Sequence, residues 1–357
     1  MTDSPRFPIP ITILTGFLGA GKTTLLNHIL HADHGLRIAV LVNDFGAVNI
    51  DSQLIVGVEG ETVSLSNGCI CCTIRDDLLT ETVRLLKRPQ PPEYIIVETS
   101  GVSDPSSVAM TFLMPELQQY FAVDSILTVI DAEHLLTLDG PYKPLAREQI
   151  AVADIIVLNK VDRVSPDHLA RVKDFITALT PDARILQTTY GQVPLELVLG
   201  VGSYDPDKLA ARPSPDIHVH EAGEEHHHDH DHDHDHSLVF STWTWRSAKP
   251  FTVESIQTLI ASLPPSIYRA KGVVYLQDYP EARFIFQIVG RRGSLTIAEP
   301  WGMQPPTTQL VVIGSHGGVD PAVLQPLFES AIAGKTKSKT QQILESLEMD
   351  RTDYFEI

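Results

Sequence analysis

Eight residues near the amino terminus, Gly16 to Thr23, have the spacing G-x-x-x-x-G-K-[ST] of a loop that surrounds phosphate groups. Glycines at these positions allow backbone N–H groups to turn inward toward phosphate oxygens. The Lys22 ammonium can then reach the β and γ phosphates, and the Thr23 hydroxyl can ligate Mg²⁺. The alternative is an ordinary glycine-rich turn between a strand and a helix. The residues predicted to bind nucleotide here are Gly16, Gly19, Ala20, Gly21, Lys22, Thr23 and Thr24.

A second segment, Asn159-Lys160-Val161-Asp162, directly follows an apolar run that is typical of a buried strand. It is therefore expected at the carboxyl edge of a parallel sheet, where ligands of open α/β sheets bind. The Asp162 carboxylate can accept hydrogen bonds from N1–H and the N2 amino group of guanine. Adenine offers neither and would leave this buried acid unpaired. The segment predicts GTP and GDP, rather than ATP, as ligands of Asn159, Lys160 and Asp162, although N-K-x-D alone also occurs as a turn.

An acid also ends the apolar run Tyr94 to Val97, because the next residues are Glu98-Thr99-Ser100-Gly101. A carboxylate at a strand tip can hold the hydration shell of Mg²⁺ or orient an attacking water. The Gly101 amide can contact the γ phosphate. We therefore predict Lys22 and Glu98 as catalytic residues, and the alternative for Glu98 is a charged residue that caps a strand end.

The segment Asn43-Asp44-Phe45-Gly46 follows another strand-like run, Ile38 to Val42, and precedes the cysteines. If Asp44 approaches Mg²⁺ only when the γ phosphate is present, this segment changes its arrangement with the nucleotide state. Asp44 is therefore predicted as a third catalytic residue and, with Thr23 and Glu98, as a magnesium ligand. By residue type alone, the segment is equally an Asx turn after a strand.

All three cysteines of the chain, Cys69, Cys71 and Cys72, fall within four residues. Thiolates bind borderline-soft cations such as Zn²⁺ in a tetrahedron, so two or three of these sulfurs plus His, carboxylate or water can form a metal site. Buried small apolar residues, a redox pair and accidental crowding are the alternatives. So few and so crowded cysteines argue against a secreted disulfide framework and favour a reducing cytoplasm.

A tract of histidine and aspartate lies further along, inside a segment that lacks helical or strand periodicity. Neutral imidazoles bind Zn²⁺, Co²⁺ and Ni²⁺, but a flexible tract loses conformational entropy when it orders around an ion. The tract is predicted to hold several ions weakly, and the alternative is a solvated acidic spacer. The auxiliary ligands are His226, His227, His228, His230, His232, His234 and His236.

Short β-branched runs alternate with helical patterns over the first two hundred residues, which predicts a doubly wound α/β domain with a predominantly parallel sheet. After the histidine tract, four strand-like runs and two helical patterns predict a small α+β domain. The predicted boundaries are a P-loop domain at 1–204, a disordered linker at 205–237, a C-terminal domain at 238–334 and a polar tail at 335–357.

The overall charge restricts the partners. Lys plus Arg number 27 against 45 for Asp plus Glu, which gives a formal charge of −18. This balance makes a nucleic-acid backbone an unfavourable partner. Since no apolar run approaches the roughly 20 residues of a membrane helix, no membrane partner is expected either.

The order of GFLGAGKTT, NDFG, GCICC, ETSG and NKVD, followed by a histidine-rich linker and a small C-terminal domain, resembles the CobW family of P-loop GTPases. This family comprises metallochaperones related to the UreG and HypB GTPases. The resemblance implies a slow GTPase that binds Zn²⁺ or Co²⁺ at Cys69, Cys71 and Cys72 and supplies it to a client protein. Where the family commonly has glutamates, this chain has Asp44 and Ala47, and Ala47 removes one candidate ligand. The segment Arg269 to Gly272 resembles the family's C-terminal domain.

The leading hypothesis is therefore a GTP-hydrolysing metallochaperone for zinc or cobalt with an unknown client metalloprotein. A cobalt chaperone in cobalamin biosynthesis is the nearest alternative. A metal buffer with incidental GTPase activity is another, although the intact Lys22, Thr23, Glu98 and Asp162 argue against a degenerate nucleotide site. An ATP-dependent kinase is disfavoured by Asn159 to Asp162. Whether the chain forms a homodimer is left open.

Overall fold

The computed structural model describes residues 8–32, 35–42, 62–64, 72–199, 240–298, 300–315 and 317–332. Seven strands of the N-terminal part form one sheet in the spatial order β3-β2-β4-β1-β5-β6-β7, and every neighbouring pair is parallel. The strands are β1 (Ile9–Thr15), β2 (Ile38–Val42), β3 (Thr62–Ser64), β4 (Tyr94–Glu98), β5 (Phe121–Asp131), β6 (Ile155–Asn159) and β7 (Ile185–Gln187).

The helices of this domain cover both faces of the sheet, because alternate strand residues enter two different cores. Ile96 of β4 packs in one core with Leu25, whereas Ile95 packs in the other with Phe112. The helices are α1 (Lys22–His31), α2 (Cys72–Leu86), α3 (Pro105–Phe112), α4 (Pro115–Gln118), α5 (Tyr142–Ala151), α6 (Pro166–Leu179) and α7 (Leu195–Val198).

The C-terminal part is a five-stranded antiparallel sheet in the order β11-β10-β9-β12-β8. Two helices pack on it, with Ile256 and Phe328 in a core that also contains Phe286 of the sheet. The elements are β8 (Phe240–Ser247), α8 (Val253–Ser262), β9 (Ile267–Tyr275), β10 (Arg283–Val289), β11 (Arg292–Ile297), β12 (Thr308–Ser315) and α9 (Pro321–Ser330).

The doubly wound α/β prediction and the small α+β prediction are both confirmed. Three short or amphipathic strands, β3, β7 and β11, have no counterpart in the sequence prediction. β3 and β7 are three residues each, too short to show periodicity. Strand β9 begins at Ile267, five residues earlier than the predicted run from Gly272. The predicted boundaries after residues 204, 237 and 334 lie outside the described residues, as do the linker and the tail.

The two domains meet near the amino-terminal half of the parallel sheet through a buried ion pair. Arg269 Nη2 lies 2.5 Å from Asp124 Oδ2, and the two side chains are 7% and 1% exposed. The Tyr94 hydroxyl donates a second hydrogen bond to the same carboxylate oxygen at 2.7 Å, and Arg269 Nε donates to the Leu197 carbonyl at 2.9 Å. The two contacts of Arg269 join the C-terminal domain to β5 and to α7, and the Tyr94 hydroxyl holds the Asp124 carboxylate from within the parallel sheet.

A second ion pair at the interface joins Arg292 Nε to Asp154 Oδ2 at 3.2 Å. Burial raises the pKa of Asp154 to about 6, although the nearby Arg292 charge opposes this shift. Burial also lowers the pKa of Lys271 to about 8, against the opposing charge of Asp124. The interface therefore holds charged groups at an energetic cost that neighbouring charges offset only in part.

Candidate nucleotide site

The predicted phosphate loop connects β1 to α1, with Gly16, Gly19 and Gly21 all at positive φ. Gly21 caps α1 at φ 106° and ψ 24°. A Cβ atom here would lie 2.2 Å from Nδ2 of Asn159, so only glycine fits this position. Because Gly21 has no side chain to cap the first turn of α1, the backbone N–H groups and the helix dipole favour an anion there.

The Lys22 side chain is folded onto this loop and is almost fully buried at 7% exposure. Its Nζ donates hydrogen bonds to the Gly16 carbonyl at 2.9 Å and to the Phe17 carbonyl at 3.3 Å. These carbonyls fix a positive charge beside the loop, as the phosphate-binding prediction requires. Ala20 of the same loop is buried, whereas Thr24 on α1 is exposed.

Thr23 and Glu98 lie next to each other. The Thr23 hydroxyl donates to Glu98 Oε1 at 3.3 Å, and Glu98, the last residue of β4, is only 2% exposed. A hydroxyl and a carboxylate are the hard oxygen donors that Mg²⁺ prefers, so this pair fits the predicted magnesium site. Asp44, the third predicted ligand, lies outside the described residues.

The segment that follows β4 is tied to the phosphate loop by close backbone contact. A Cβ atom on Gly101 would lie 2.6 Å from the Leu18 amide nitrogen, so a side chain at position 101 would displace the loop. Gln149 Nε2 of α5 donates to the carbonyls of Gly101 and Ser103 at 3.4 and 3.3 Å. Gly101 therefore lies beside the phosphate loop, and its contact with the γ phosphate stays a prediction.

Asn159 joins the phosphate loop to two other loops at the same edge of the sheet. It is 2% exposed, and its Nδ2 donates to the Ala20 carbonyl at 2.9 Å. Its Oδ1 accepts from the Gly191 amide at 3.1 Å. Asp162 lies in the 3-10 turn Val161–Arg163, and its side chain is exposed. The Asp162 side chain is therefore open to solvent at the end of β6, and its recognition of guanine stays a prediction.

Lys160 has a positive φ of 61°, and two hydrogen bonds stabilise this conformation. Its Nζ donates to the Gly19 carbonyl and to Asp131 Oδ2, both at 2.7 Å. Lys160 and Asp131 also line a cavity of about 360 Å³ with Phe17 and Leu18.

The sequence analysis missed Asp131 and its neighbour His134, whose Nδ1 lies 2.9 Å from Asp131 Oδ2. Burial raises the pKa of Asp131, but hydrogen bonds from Lys160, His134 and the Glu133 amide outweigh burial, so the pKa is lowered overall. Asp131 therefore remains ionised and holds Lys160 in position. The available signal was an acid at the end of β5, which is the same signal that identified Glu98.

The predicted metal ligands lie mostly outside the described residues. Cys69, Cys71 and the histidines from His226 to His236 are all outside, and for Cys72 only the backbone is described, as the first residue of α2. Within the described part of the chain, Asp131, Glu133 and His134 form a group with metal-ligand spacing, but Asp131 in that group is already bonded to Lys160.

A phosphate loop between β1 and α1, an acid at the tip of the neighbouring strand and an N-K-x-D segment at the same edge define a P-loop nucleotide-binding protein. Residues 10–187 match the CobW/HypB/UreG nucleotide-binding domain, and residues 240–332 match the cobalamin synthesis protein cobW C-terminal domain. The chain belongs to the CobW family of P-loop GTPases.

Two relatives illustrate the similarity. The "Zinc chaperone CobW" of Sinorhizobium sp is 32% identical over 344 residues, which cover 88% of this chain and 95% of the relative. The "Zinc-regulated GTPase metalloprotein activator 1" of Dictyostelium discoideum is 31% identical over 322 residues, which cover 79% and 66%.

Among solved structures, the Zn(II)-bound YjiA GTPase from E. coli is 22% identical. The similarity covers 91% of this chain and 99% of that one, with a TM-score of 0.41.

None of the helices in the described ranges is long and apolar enough to span a membrane.

Proposed function

We propose that this chain hydrolyses GTP slowly and uses the nucleotide state to control binding of zinc at Cys69, Cys71 and Cys72, and its transfer to a client metalloprotein. The names of the relatives, a zinc chaperone and a zinc-regulated GTPase activator, support zinc as the cargo. Cobalt is the alternative cargo, because thiolate sites do not discriminate strongly between these divalent ions. We place this activity in the cytoplasm, where thiols stay reduced.

The observation that carries the proposal is the register of three strand ends. Val42 of β2 pairs with Ser64 of β3 on one side and with Glu98 of β4 on the other. Asp44 follows Val42 by two residues, and Cys69 follows Ser64 by five. Five residues span at most about 17 Å. The segments that carry the thiol motif and Asp44 therefore both follow strands whose last residues are in register with Glu98.

In the proposed reaction, the side chains of the nucleotide site have separate roles. Lys22 stabilises negative charge on the β and γ phosphates, and Glu98 orients the attacking water. Thr23, Glu98 and Asp44 would hold Mg²⁺, which would neutralise phosphate charge. Asn159 and Lys160 fix the phosphate loop against the base site, and Asp162 accepts hydrogen bonds from the guanine edge.

The thiols and the histidine tract should form two unequal classes of metal site. Thiolate ligands in a compact motif should hold one ion tightly, whereas a run of histidines that loses entropy as it orders around an ion should hold several ions weakly. Removal of residues 226–236 is expected to abolish the weak sites and to leave one tight site that releases thiol protons as it fills. Loss of the tight site on this deletion would assign the tract as a ligand instead of a buffer.

The test of the proposal is a titration of Zn²⁺ into the apo, GDP-bound and non-hydrolysable-GTP-bound protein that lacks residues 226–236. A useful coupling of about 1 to 3 kcal/mol changes zinc affinity by roughly five- to 150-fold, and zinc must change GTP affinity by the same factor. The variant in which the three cysteines are serine serves as the control, and a parallel Co²⁺ titration compares the two cargoes. Equal zinc affinities in the apo, GDP-bound and GTP-analogue-bound states would contradict nucleotide control and indicate a metal buffer that also hydrolyses GTP.

A further inference from the structure

Two residues other than glycine have a positive φ within the described part of the chain, Lys160 at 61° and Tyr190 at 54°. They lie on neighbouring loops at the carboxyl edge of the sheet, one after β6 and the other after β7. A side chain in the left-handed region is disfavoured by contact between Cβ and the backbone, so the conformation persists only where other interactions offset it.

For Lys160 these offsetting interactions lie within the protein, as hydrogen bonds to Gly19 and Asp131. Tyr190 differs, because 66% of its surface is exposed. Neither a ring contact nor a side-chain hydrogen bond involves Tyr190 in the part of the chain that the structure describes. Its conformation presents a large aromatic ring to solvent at the edge where the nucleotide is expected.

The loop that carries Tyr190 is held firmly on both sides of it. The Thr188 amide donates to the Leu158 carbonyl at 2.9 Å, and the Thr188 carbonyl accepts from the Val161 amide at 3.4 Å. On the other side, the Gly191 amide donates to Asn159 Oδ1 at 3.1 Å. Asn159 in turn bonds the phosphate loop at Ala20. The backbone that carries the exposed ring is therefore held relative to both the phosphate loop and the turn that contains Asp162.

We propose that Tyr190 is a nucleobase-binding residue whose ring stacks on the flat face of the base. This inference rests on the proposed GTP site. Stacking requires only a π face, so Tyr190 would contribute affinity for purine nucleotides in general. Asp162, by contrast, reads the polar edge of guanine and contributes specificity. Tyr190 therefore contacts any purine base, whereas Asp162 selects guanine.

The test compares wild type, Tyr190→Ala and Tyr190→Phe by equilibrium binding of GTP, GDP, ITP and inorganic tripolyphosphate in the presence of Mg²⁺. Tyr190→Ala is expected to weaken GTP, GDP and ITP by the same factor of about 5- to 150-fold, the range measured for base–aromatic stacking. Tripolyphosphate has no base, so its affinity should not change. Tyr190→Phe should retain wild-type affinity, as should Tyr279→Ala, which removes an exposed tyrosine of the C-terminal domain.

A second variant, Tyr190→Gly, separates stacking from loop damage. Glycine adopts a positive φ without strain, so this variant is expected to melt at or above the wild-type temperature while losing GTP affinity as Tyr190→Ala does. Wild-type GTP affinity in both variants would overturn the inference. An equal loss of tripolyphosphate binding would also overturn it, because the loop and not the ring would then be responsible. Failure of the wild-type protein to bind GTP would overturn the proposed function as well.

Discussion

Two polar clusters lie toward opposite ends of the parallel sheet, and they differ in where their partners are. At the carboxyl edge, Lys22, Glu98 and Lys160 are held by backbone carbonyls and neighbouring side chains around a loop whose glycines approach other atoms closely. Toward the amino ends, Asp124 and Asp154 form ion pairs with arginines of the C-terminal domain. The first cluster borders solvent, and the second is enclosed between two domains.

The charges at the domain interface stabilise the fold, whereas we expect the charges at the carboxyl edge to bind a ligand. The pair of Asp124 and Arg269 is nearly completely buried, and additional hydrogen bonds from Tyr94 to Asp124 Oδ2 and from Arg269 to the Leu197 carbonyl hold it in place. The carboxyl edge instead contains strained and exposed positions, such as Tyr190. A change at the carboxyl edge should therefore alter turnover or affinity, whereas a change at the domain interface should alter stability.

The largest expected effect is the loss of turnover in Lys22→Ala. Without the ammonium that stabilises phosphate charge in the transition state, GTP hydrolysis should fall by about 100-fold or more. Zinc binding to the apo protein should stay close to wild type, since no thiol lies in the loop. Single-turnover hydrolysis measures the effect, with the exposed Lys143→Ala as control, and near wild-type turnover would contradict the role of this loop.

At the opposite end, Arg269→Ala should destabilise the protein by about 3 to 5 kcal/mol, because it leaves the buried Asp124 charge without its partner. Arg291→Ala is the matched control, since its pair with Asp182 spans the same interface at 3.8 Å but both side chains are more than half exposed. That exposed pair should contribute about 0 to 1 kcal/mol. Chemical denaturation measures both, and equal effects would mean that burial does not distinguish the two pairs.

Asp162→Asn should lower the preference for GTP over other purine nucleotides by tens of fold, which corresponds to about 1.5 to 3 kcal/mol for a hydrogen bond to a charged group. Because Asp162 is exposed, the effect should lie toward the smaller value. Competition between GTP and ATP measures it, and Asp167→Asn, a nearby exposed acid on α6, is the control. Equal competition by ATP and GTP at the wild-type site would remove guanine recognition from this residue.

The domain interface should also show a dependence of stability on pH. The pKa of Asp154 is raised from 3.8 to about 6, so the folded protein binds this proton more strongly than the unfolded chain does. Asp154 therefore contributes stability at low pH that is lost as pH rises through about 6, by about 1 to 3 kcal/mol. Chemical denaturation between pH 4.5 and 8 measures the effect. As pH rises toward 6, the free energy of unfolding of the wild type should fall relative to that of Asp154→Asn. Parallel pH curves would contradict the prediction.

Local motifs were predictable because their chemistry depends on residues that are close in sequence. The phosphate loop is one turn between one strand and one helix, so its glycines, Lys22 and Thr23 could be assigned from spacing. Asp131 and Tyr190 could not, since their importance comes from Lys160, Gly19 and Asn159, which reach them only when separate strands align. Strands β3 and β7 escaped detection because three residues carry too little periodicity.

The sequence by itself determined that this chain has a nucleotide-binding domain with a parallel sheet, followed along the chain by a smaller domain. It also predicted that the ligand-binding residues lie at one edge of the sheet. Apolar runs and adjacent polar residues encode those features locally. Only the tertiary structure decided which charges face inward. Arg269 was visible in the sequence as part of a family-like segment, but its partner Asp124 is 145 residues away, and ion pairs over such separations form only after the sheets have assembled. For the same reason, the sequence could not reveal that Asp162 is exposed and that Tyr190 presents its ring at the nucleotide edge.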